Sequence, residues 1–167
     1  MADLMTTAPA MARHVLRGRP EALSAAEGAL GFALPRQACR SASLNDTHAL
    51  WLGPDEWLLL SAPDAGLGDR LEAAMGTHPH SLVEVSDRQI GLVVGGPEAE
   101  AVLSVGCPLD LDQAAFPVGM CTRTVLSKAE IVLWRTGPET FHLEVWRSFG
   151  AYLRDFLTAS AVVPVAD

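Results

Sequence analysis

The sequence predicts an α+β fold of repeated ββα units, in which antiparallel sheets carry helices packed on one face. Short alternating apolar and polar runs occur in pairs separated by tight-turn residues. Twice, such a pair is followed directly by a segment with apolar residues at helical spacing. Because 49% of the 167 residues are apolar, the chain can bury a sizeable core. Hairpin-then-helix units of this kind are typical of α+β domains.

The N-terminal segment predicts a tail, an extended piece and a helix. Residues 1–12 have no Lys or Arg and no sustained apolar run, so we expect a disordered tail rather than a signal peptide. Residues 13–17 form the extended piece. The helix begins at Pro20 and ends at Gly31, because Pro suits the first helical turn and Gly the position after the last.

The first ββα unit has strands over 49–52 and 56–61, with turn residues at 53–55 between them. The second strand is apolar on both faces, which is typical of a strand covered on both sides. Asp64 is placed to cap the following helix, which Gly76 ends.

The second unit repeats this order, with strands over 82–85 and 89–94 and a helix that begins at Pro97. A loop rich in Pro and Gly, 106–119, then leads to the C-terminal elements. They are three strands over 121–126, 130–135 and 140–145, and a helix with apolar residues at 149, 152, 153, 156 and 157, capped by Ser148. We therefore predict one α+β domain over 13–160 and a C-terminal tail over 161–167.

Charge and cysteine usage exclude several classes of partner. Lys plus Arg number 12 against 20 for Asp plus Glu, and a net charge of −8 repels phosphate backbones, so no nucleic acid is expected. No apolar run approaches the length of a membrane span, so no membrane is expected. Cys39, Cys107 and Cys121 form no C-x-x-C pair, which is typical of a reducing compartment. We expect a cytoplasmic protein.

Motifs that invite a chemical interpretation are weak. The sequence 78–80, His-Pro-His, offers two imidazoles, but a zinc site needs three or four converging ligands, so an exposed turn is expected. A nucleophilic cysteine needs an electropositive setting that stabilises its thiolate. Asp110 and Asp112 follow Cys107 closely and their carboxylates disfavour a thiolate, so we expect Cys107 to be a buried structural cysteine. We predict no catalytic, cofactor-binding or metal-binding residues in this chain.

Three residues are candidates for a partner interface: Arg88, Trp134 and Trp146. Both tryptophans are out of phase with the apolar face of their strands, and an exposed Trp is a common interface anchor. The alternative is that a second layer of the same domain covers them. Arg88 follows Asp87 at a hairpin turn. It either forms a local salt bridge there or binds the carboxylate of a ligand or partner.

Four blocks of sequence are specific when they are taken together and in order. They are 50–60 (LWLGPDEWLLL), 83–88 (VEVSDR), 106–111 (GCPLDL) with 115–117 (AFP), and 147–153 (RSFGAYL). With these blocks, residues 13–156 resemble the gamma subunit of heterotetrameric sarcosine oxidase. The resemblance implies a fold similar to the folate-binding domain of glycine-cleavage aminomethyltransferases.

The resemblance also implies a noncatalytic structural subunit of a cytoplasmic oxidoreductase complex with alpha, beta and delta partners. Such a complex demethylates sarcosine to glycine, giving hydrogen peroxide and either formaldehyde or methylenetetrahydrofolate. FAD, FMN and NAD would lie in the alpha and beta chains and zinc in the delta chain. Two alternatives stay open, a stand-alone folate-dependent one-carbon transferase and a small-ligand binding domain that uses Arg88.

Overall fold

The structure is a computed structural model, and it describes residues 4–161. These residues form two five-stranded antiparallel sheets and the helices that pack on them. The elements in chain order are β1 (Met5–Thr7), β2 (Ala12–Gly18), α1 (Pro20–Leu30), β3 (Ser41–Leu44), β4 (Thr47–Gly53), β5 (Glu56–Ser61), α2 (Leu67–Met75), β6 (His80–Glu84), β7 (Gln89–Gly95), α3 (Ala99–Ser104), β8 (Cys121–Leu126), β9 (Ala129–Gly137), β10 (Thr140–Trp146) and α4 (Gly150–Ser160). The repeated ββα units and the antiparallel sheets are confirmed.

The described chain separates into two compact units. One is Ala10–Ser86, and the other consists of the described residues of Met1–Pro9 and Asp87–Asp167. The single domain predicted over 13–160 thus contains two sheets, each with its own core. Of the tail predicted over 161–167, all but Ala161 lies outside the described residues.

The unit Ala10–Ser86 has the strand order β3-β4-β5-β2-β6. Side chains alternate across a strand, so Trp57 and Leu59 share one face of β5, and they are buried in one cluster with residues of α1 and α2. Leu58 and Leu60, on the opposite face of β5, are buried as well. The prediction that this strand is covered on both faces is confirmed.

The other unit has the strand order β1-β7-β10-β9-β8. Phe141, Leu143 and Val145 of β10 are fully buried, in one cluster with apolar residues of α3 and α4. The prediction that this face of the strand is core is confirmed. Trp146, one of the candidates for a partner interface, therefore lies on the opposite face of β10.

Two short strands were missed because they bury few apolar side chains. The sequence predicted a disordered tail over 1–12, but Met5–Thr7 form β1, which pairs with β7, and the Gly95 N–H donates to the Leu4 carbonyl at 2.9 Å. Residues 1–3 lie outside the described residues. The polar strand β3 pairs with β4 at the edge of its sheet. Only a neighbouring strand defines these two segments, because their side chains bury little.

Both predicted side-chain caps are wrong. Helix α2 begins after Gly66, which adopts a left-handed φ of 60°, and no side chain caps it. Ser148 lies inside a 3-10 turn, Arg147–Phe149, that leads into α4, and α4 has no side-chain cap either. Asp64 lies two residues before the N-cap position of α2, Gly66, and Ser148 lies one residue before that of α4, Phe149. At α1, by contrast, Pro20 at the start and Gly31 at the end are confirmed.

Gly106 is fixed by a close approach of the backbone. Its carbonyl accepts a 2.9 Å hydrogen bond from the Ser127 N–H, and a Cβ at this position would lie 2.6 Å from Phe156 Cζ and 3.0 Å from the Ser127 nitrogen. Only glycine fits without displacement, which gives a physical reason for the Gly in the third sequence block.

Across residues 4–161, no helix is both long and apolar enough to cross a membrane.

Candidate functional site

The most prominent exposed feature is an aromatic–arginine patch formed by Arg88, Trp146, Arg147 and Phe149. Gln89, the first residue of β7, pairs directly with Trp146, the last residue of β10. This register places Arg88, which precedes β7, beside the end of β10. The patch therefore forms where the start of β7 and the end of β10, two adjacent inner strands of the sheet, meet.

Arg88 and Trp146 form a cation–π contact. The guanidinium carbon of Arg88 lies 5.3 Å from the centre of the Trp146 ring, and the Trp146 side chain is 50% exposed. A cation–π contact at an exposed site stabilises by about 0.5–1 kcal/mol. Within residues 4–161 no carboxylate pairs with Arg88, so the local salt bridge to Asp87 that the sequence left open is not formed.

Arg147 and Phe149 complete the patch. The Arg147 backbone N–H donates to the Arg88 carbonyl at 2.8 Å, and its side-chain Nε–H donates to the Asp87 carbonyl at 3.0 Å. The ring of Phe149, 39% exposed, makes an edge contact with Tyr152 at 6.3 Å between centroids. These contacts join Arg147 to the turn that contains Arg88, and they place the Phe149 ring against Tyr152 of α4.

Trp134, the third candidate, lies elsewhere on the same sheet face. It pairs across strands with His142, and their rings meet edge to face at 5.9 Å. His142 is four residues from Trp146 along β10, which corresponds to about 13 Å. Trp134 is also only half-buried. The structure therefore brings Arg88 and Trp146 together and leaves Trp134 outside the patch.

A buried ionisable pair occupies the sheet face between these tryptophans. His142 Nε2 lies 2.7 Å from Glu144 Oε1, and the two residues are 6% and 0% exposed. Alternation placed both residues opposite the core, but their burial was not predicted. A hydrogen-bonded pair satisfies polar groups that would otherwise be costly to bury, so a structural role accounts for this contact.

Sequence reasoning missed Arg135, which is 2% exposed. Arg135 lies two residues after Leu133 and four after Ile131, so it is on the core-facing side of β9. This alternation could have predicted that Arg135 is buried. Its guanidinium donates to the carbonyls of Leu111 at 2.7 Å and Phe116 at 3.0 Å, and also to that of Pro138. It further packs over the Phe141 ring at 4.8 Å. Arg135 thus ties the loop over 106–119 to the sheet.

The acidic residues of that loop act as turn formers. Asp110 Oδ1 accepts from the Asp112 N–H at 3.0 Å, and Asp112 Oδ1 accepts from the Ala114 N–H at 2.8 Å. These two carboxylates therefore cap turns within the loop, and Cys107 is buried as expected. This loop therefore uses its polar groups to hold its own shape.

The His-Pro-His segment is not a ligand pair. His80 Nδ1 lies 2.6 Å from the His78 carbonyl, and His80 Nε2 lies 3.0 Å from Glu72 Oε2 of α2. Both ring nitrogens face acceptors, which only the protonated imidazole satisfies. The hydrogen bond to the His78 carbonyl, followed by that to Glu72, raises the pKa of His80 above its usual 6.5. In residues 4–161, no three His, Cys, Asp or Glu side chains converge as a metal site would require.

Replacing His80 by Gln is expected to flatten the pH dependence of stability. Because the folded-state pKa of His80 is raised, its contribution is fully present below pH 6.5 and is lost as the pH rises through the folded-state pKa. The wild-type free energy of unfolding in urea should therefore fall between roughly pH 6 and pH 8 more steeply than that of His80→Gln. His78→Gln, which keeps the carbonyl acceptor, is the control and should follow the wild type. Equal slopes for wild type and His80→Gln would contradict the assignment.

Comparison with known proteins gives consistent matches. The family model of the sarcosine oxidase gamma subunit matches residues 17–162. "Sarcosine oxidase subunit gamma" of Corynebacterium sp. (strain P-1) is 36% identical over 143 residues, covering 83% of this chain and 70% of that protein. Its namesake from Arthrobacter sp is 37% identical over 121 residues, covering 72% of this chain and 60% of that protein. The chain thus spans some 60–70% of the length of these relatives.

Two solved structures contain chains whose folds are similar to that of this chain. A chain of heterotetrameric sarcosine oxidase from Corynebacterium sp. U-96, in complex with pyrrole 2-carboxylate, has a TM-score of 0.87 at 30% identity and covers 97% of this chain and 87% of that one. The glycine cleavage system aminomethyltransferase T from Bartonella henselae has a TM-score of 0.73 at 17% identity, covering 94% of this chain and 45% of that one. The second likeness bears on the fold alone and confirms the predicted aminomethyltransferase-like architecture.

Proposed function

Because the chain belongs to the sarcosine oxidase gamma subunit family, we propose that it is a noncatalytic structural subunit of a heterotetrameric sarcosine oxidase. The observation that carries the proposal is the structural match over 97% of this chain to a chain of such a heterotetramer. A likeness of this extent, at 30% identity, supports the same place in the same kind of assembly. The proposed partners are the alpha, beta and delta subunits of a cytoplasmic complex.

The proposed reaction of the whole complex is the oxidative demethylation of sarcosine. The N-methyl carbon is oxidised and dioxygen is reduced to hydrogen peroxide, glycine is released, and the one-carbon unit leaves as formaldehyde or is captured by tetrahydrofolate. In this proposal FAD, FMN and NAD are held by the alpha and beta chains and zinc by the delta chain. This subunit contributes contact surface.

The use of polar side chains supports the noncatalytic assignment. Arg135 holds backbone carbonyls, Asp110 and Asp112 cap turns, and His142 is bonded to Glu144. A general acid or base exchanges a proton with a substrate, whereas each of these groups already makes a hydrogen bond that supports the fold. The aromatic–arginine patch instead exposes Trp146 and Phe149 together with two arginines, and aromatic residues and Arg are enriched at protein interfaces.

Co-expression of the full chain with the alpha, beta and delta subunits tests the proposal. The expected result is a yellow, flavin-containing complex that retains this chain through affinity purification on the alpha subunit and through gel filtration. The matched control omits only this chain, and the yield or thermal stability of the remaining complex is expected to fall. A complex that assembles with full yield, stability and activity without this chain would overturn the proposal.

Titration of the full chain with tetrahydrofolate distinguishes the rival class. A stand-alone one-carbon transferase would show saturable binding of tetrahydrofolate in calorimetry, whereas the structural role predicts no heat beyond dilution. The same titration of the assembled complex tests whether it captures the one-carbon unit with tetrahydrofolate, because that capture requires a folate site in the complex.

A further inference from the structure

We infer that the aromatic–arginine patch binds a carboxylate-bearing segment of a partner subunit, an inference that rests on the proposed function. The patch combines exposed aromatic rings with two arginines, and Trp, Tyr and Arg are the residue types that dominate binding energy at protein interfaces. Trp146 and Phe149 are 50% and 39% exposed. Their remaining surface contributes to stability only when another molecule covers it.

The guanidinium groups determine the chemistry of that molecule. Within residues 4–161, no acceptor is bonded to the Arg88 guanidinium, and the Arg147 guanidinium donates only its Nε–H, to the Asp87 carbonyl. A cation–π contact uses the face of the guanidinium and no N–H hydrogen bond, so its N–H groups stay available to bind a carboxylate through two parallel hydrogen bonds. Asp or Glu side chains beside apolar residues therefore fit the patch.

Charge identifies the occupant as a different chain rather than a second copy. The whole chain carries a net charge of −8, so two copies repel one another. The patch nonetheless contains two arginines, Arg88 and Arg147, whose guanidinium groups have no carboxylate partner among the described residues. Two such arginines on an acidic chain favour an acidic surface of a heterologous partner, whose charge also directs the encounter.

The test compares charge reversals in the co-expressed complex. Arg88→Glu, alone and with Arg147→Glu, should weaken binding of the full chain to the complex that lacks it by at least about tenfold, because each reversal leaves a partner carboxylate facing a like charge. Arg19→Glu is the matched control: Arg19 is also exposed, it belongs to the unit Ala10–Ser86 rather than to the patch, and the substitution changes the charge by the same amount. Arg88→Lys separates charge from planar geometry and should weaken binding by less than Arg88→Glu. Circular dichroism and thermal unfolding of each full chain establish that it is folded.

The outcomes separate this inference from the proposed function. If the wild-type chain does not assemble, the proposed function fails. If it assembles and folded Arg88→Glu/Arg147→Glu binds as tightly as Arg19→Glu, the inference alone is overturned. It is also overturned if the isolated chain forms a dimer that Arg88→Glu dissociates. A steeper loss of affinity with added NaCl for the wild type than for Arg88→Glu supports it, because salt screens the charge pairs.

Discussion

Replacing Arg135 by Met is expected to lower the free energy of unfolding by about 3–5 kcal/mol, because the guanidinium is the buried donor for several carbonyls. The carbonyls of Leu111 and Phe116 lose their partner, and each buried acceptor without one costs about 1–3 kcal/mol. Methionine fills much of the same volume, so the loss reports the hydrogen bonds more than a cavity. Urea denaturation followed by fluorescence measures the change.

Arg88→Met is the matched control, because it makes the same substitution at an exposed arginine of the same unit. Its expected cost is the cation–π contact alone, about 0.5–1 kcal/mol. Hydrogen exchange adds a local readout: Arg135→Met should selectively speed exchange at the Ala115 and Phe116 amides, which donate to the Asp112 carbonyl in the loop that Arg135 holds. An Arg135→Met protein as stable as Arg88→Met would refute this role.

Replacing Trp57 by Ala is expected to destabilise the unit Ala10–Ser86 by about 3–5 kcal/mol, the usual cost of removing a large aromatic side chain from a core. Trp57 is 0% exposed and its Nε1–H donates to the Pro35 carbonyl at 2.9 Å. The Arg36 guanidinium also packs over its ring at 5.3 Å. The substitution therefore opens a cavity and also releases the segment that follows α1.

Two further variants of the same hairpin resolve these contributions. Trp57→Phe keeps most of the packing and removes the donor, so its expected cost is about 1–3 kcal/mol. Trp51 pairs with Trp57 across the hairpin but is only half-buried, so Trp51→Ala should cost clearly less than Trp57→Ala. Thermal unfolding by circular dichroism ranks the three. A cost for Trp51→Ala equal to that of Trp57→Ala would show that burial of Trp57 is not what stabilises the hairpin.

Most of the strands and helices were predictable because their signals are local. The period-2 alternation at Phe141, Leu143 and Val145 and the Pro20 and Gly31 boundaries of α1 depend on neighbouring residues only, and the structure agrees with each. The segments β1 and β3 were missed for the converse reason. They are strands because β7 and β4 offer them hydrogen-bonding edges, and such edges leave no trace in a short polar sequence.

The candidate site was predictable in part. Strand parity identified Trp146 as a residue on the face opposite the core, and its exposure agrees with that placement. The cation–π contact with Arg88 depends on the register that pairs Gln89 with Trp146, and parity alone does not give a register. Trp134 satisfied the same parity rule, yet it lies beside His142, away from Arg88.

The sequence by itself determined the class of fold, the order of most elements, the faces of the strands and, through four blocks, the family. These properties depend on periodicity and composition, which are carried by residues close together in the chain. Only the tertiary structure decided that Arg135 is a buried anchor, that His80 bonds to α2 and that Arg88 forms a cation–π contact with Trp146. Each of these contacts joins residues from separate elements, and its energy depends on the distance and burial that packing alone creates.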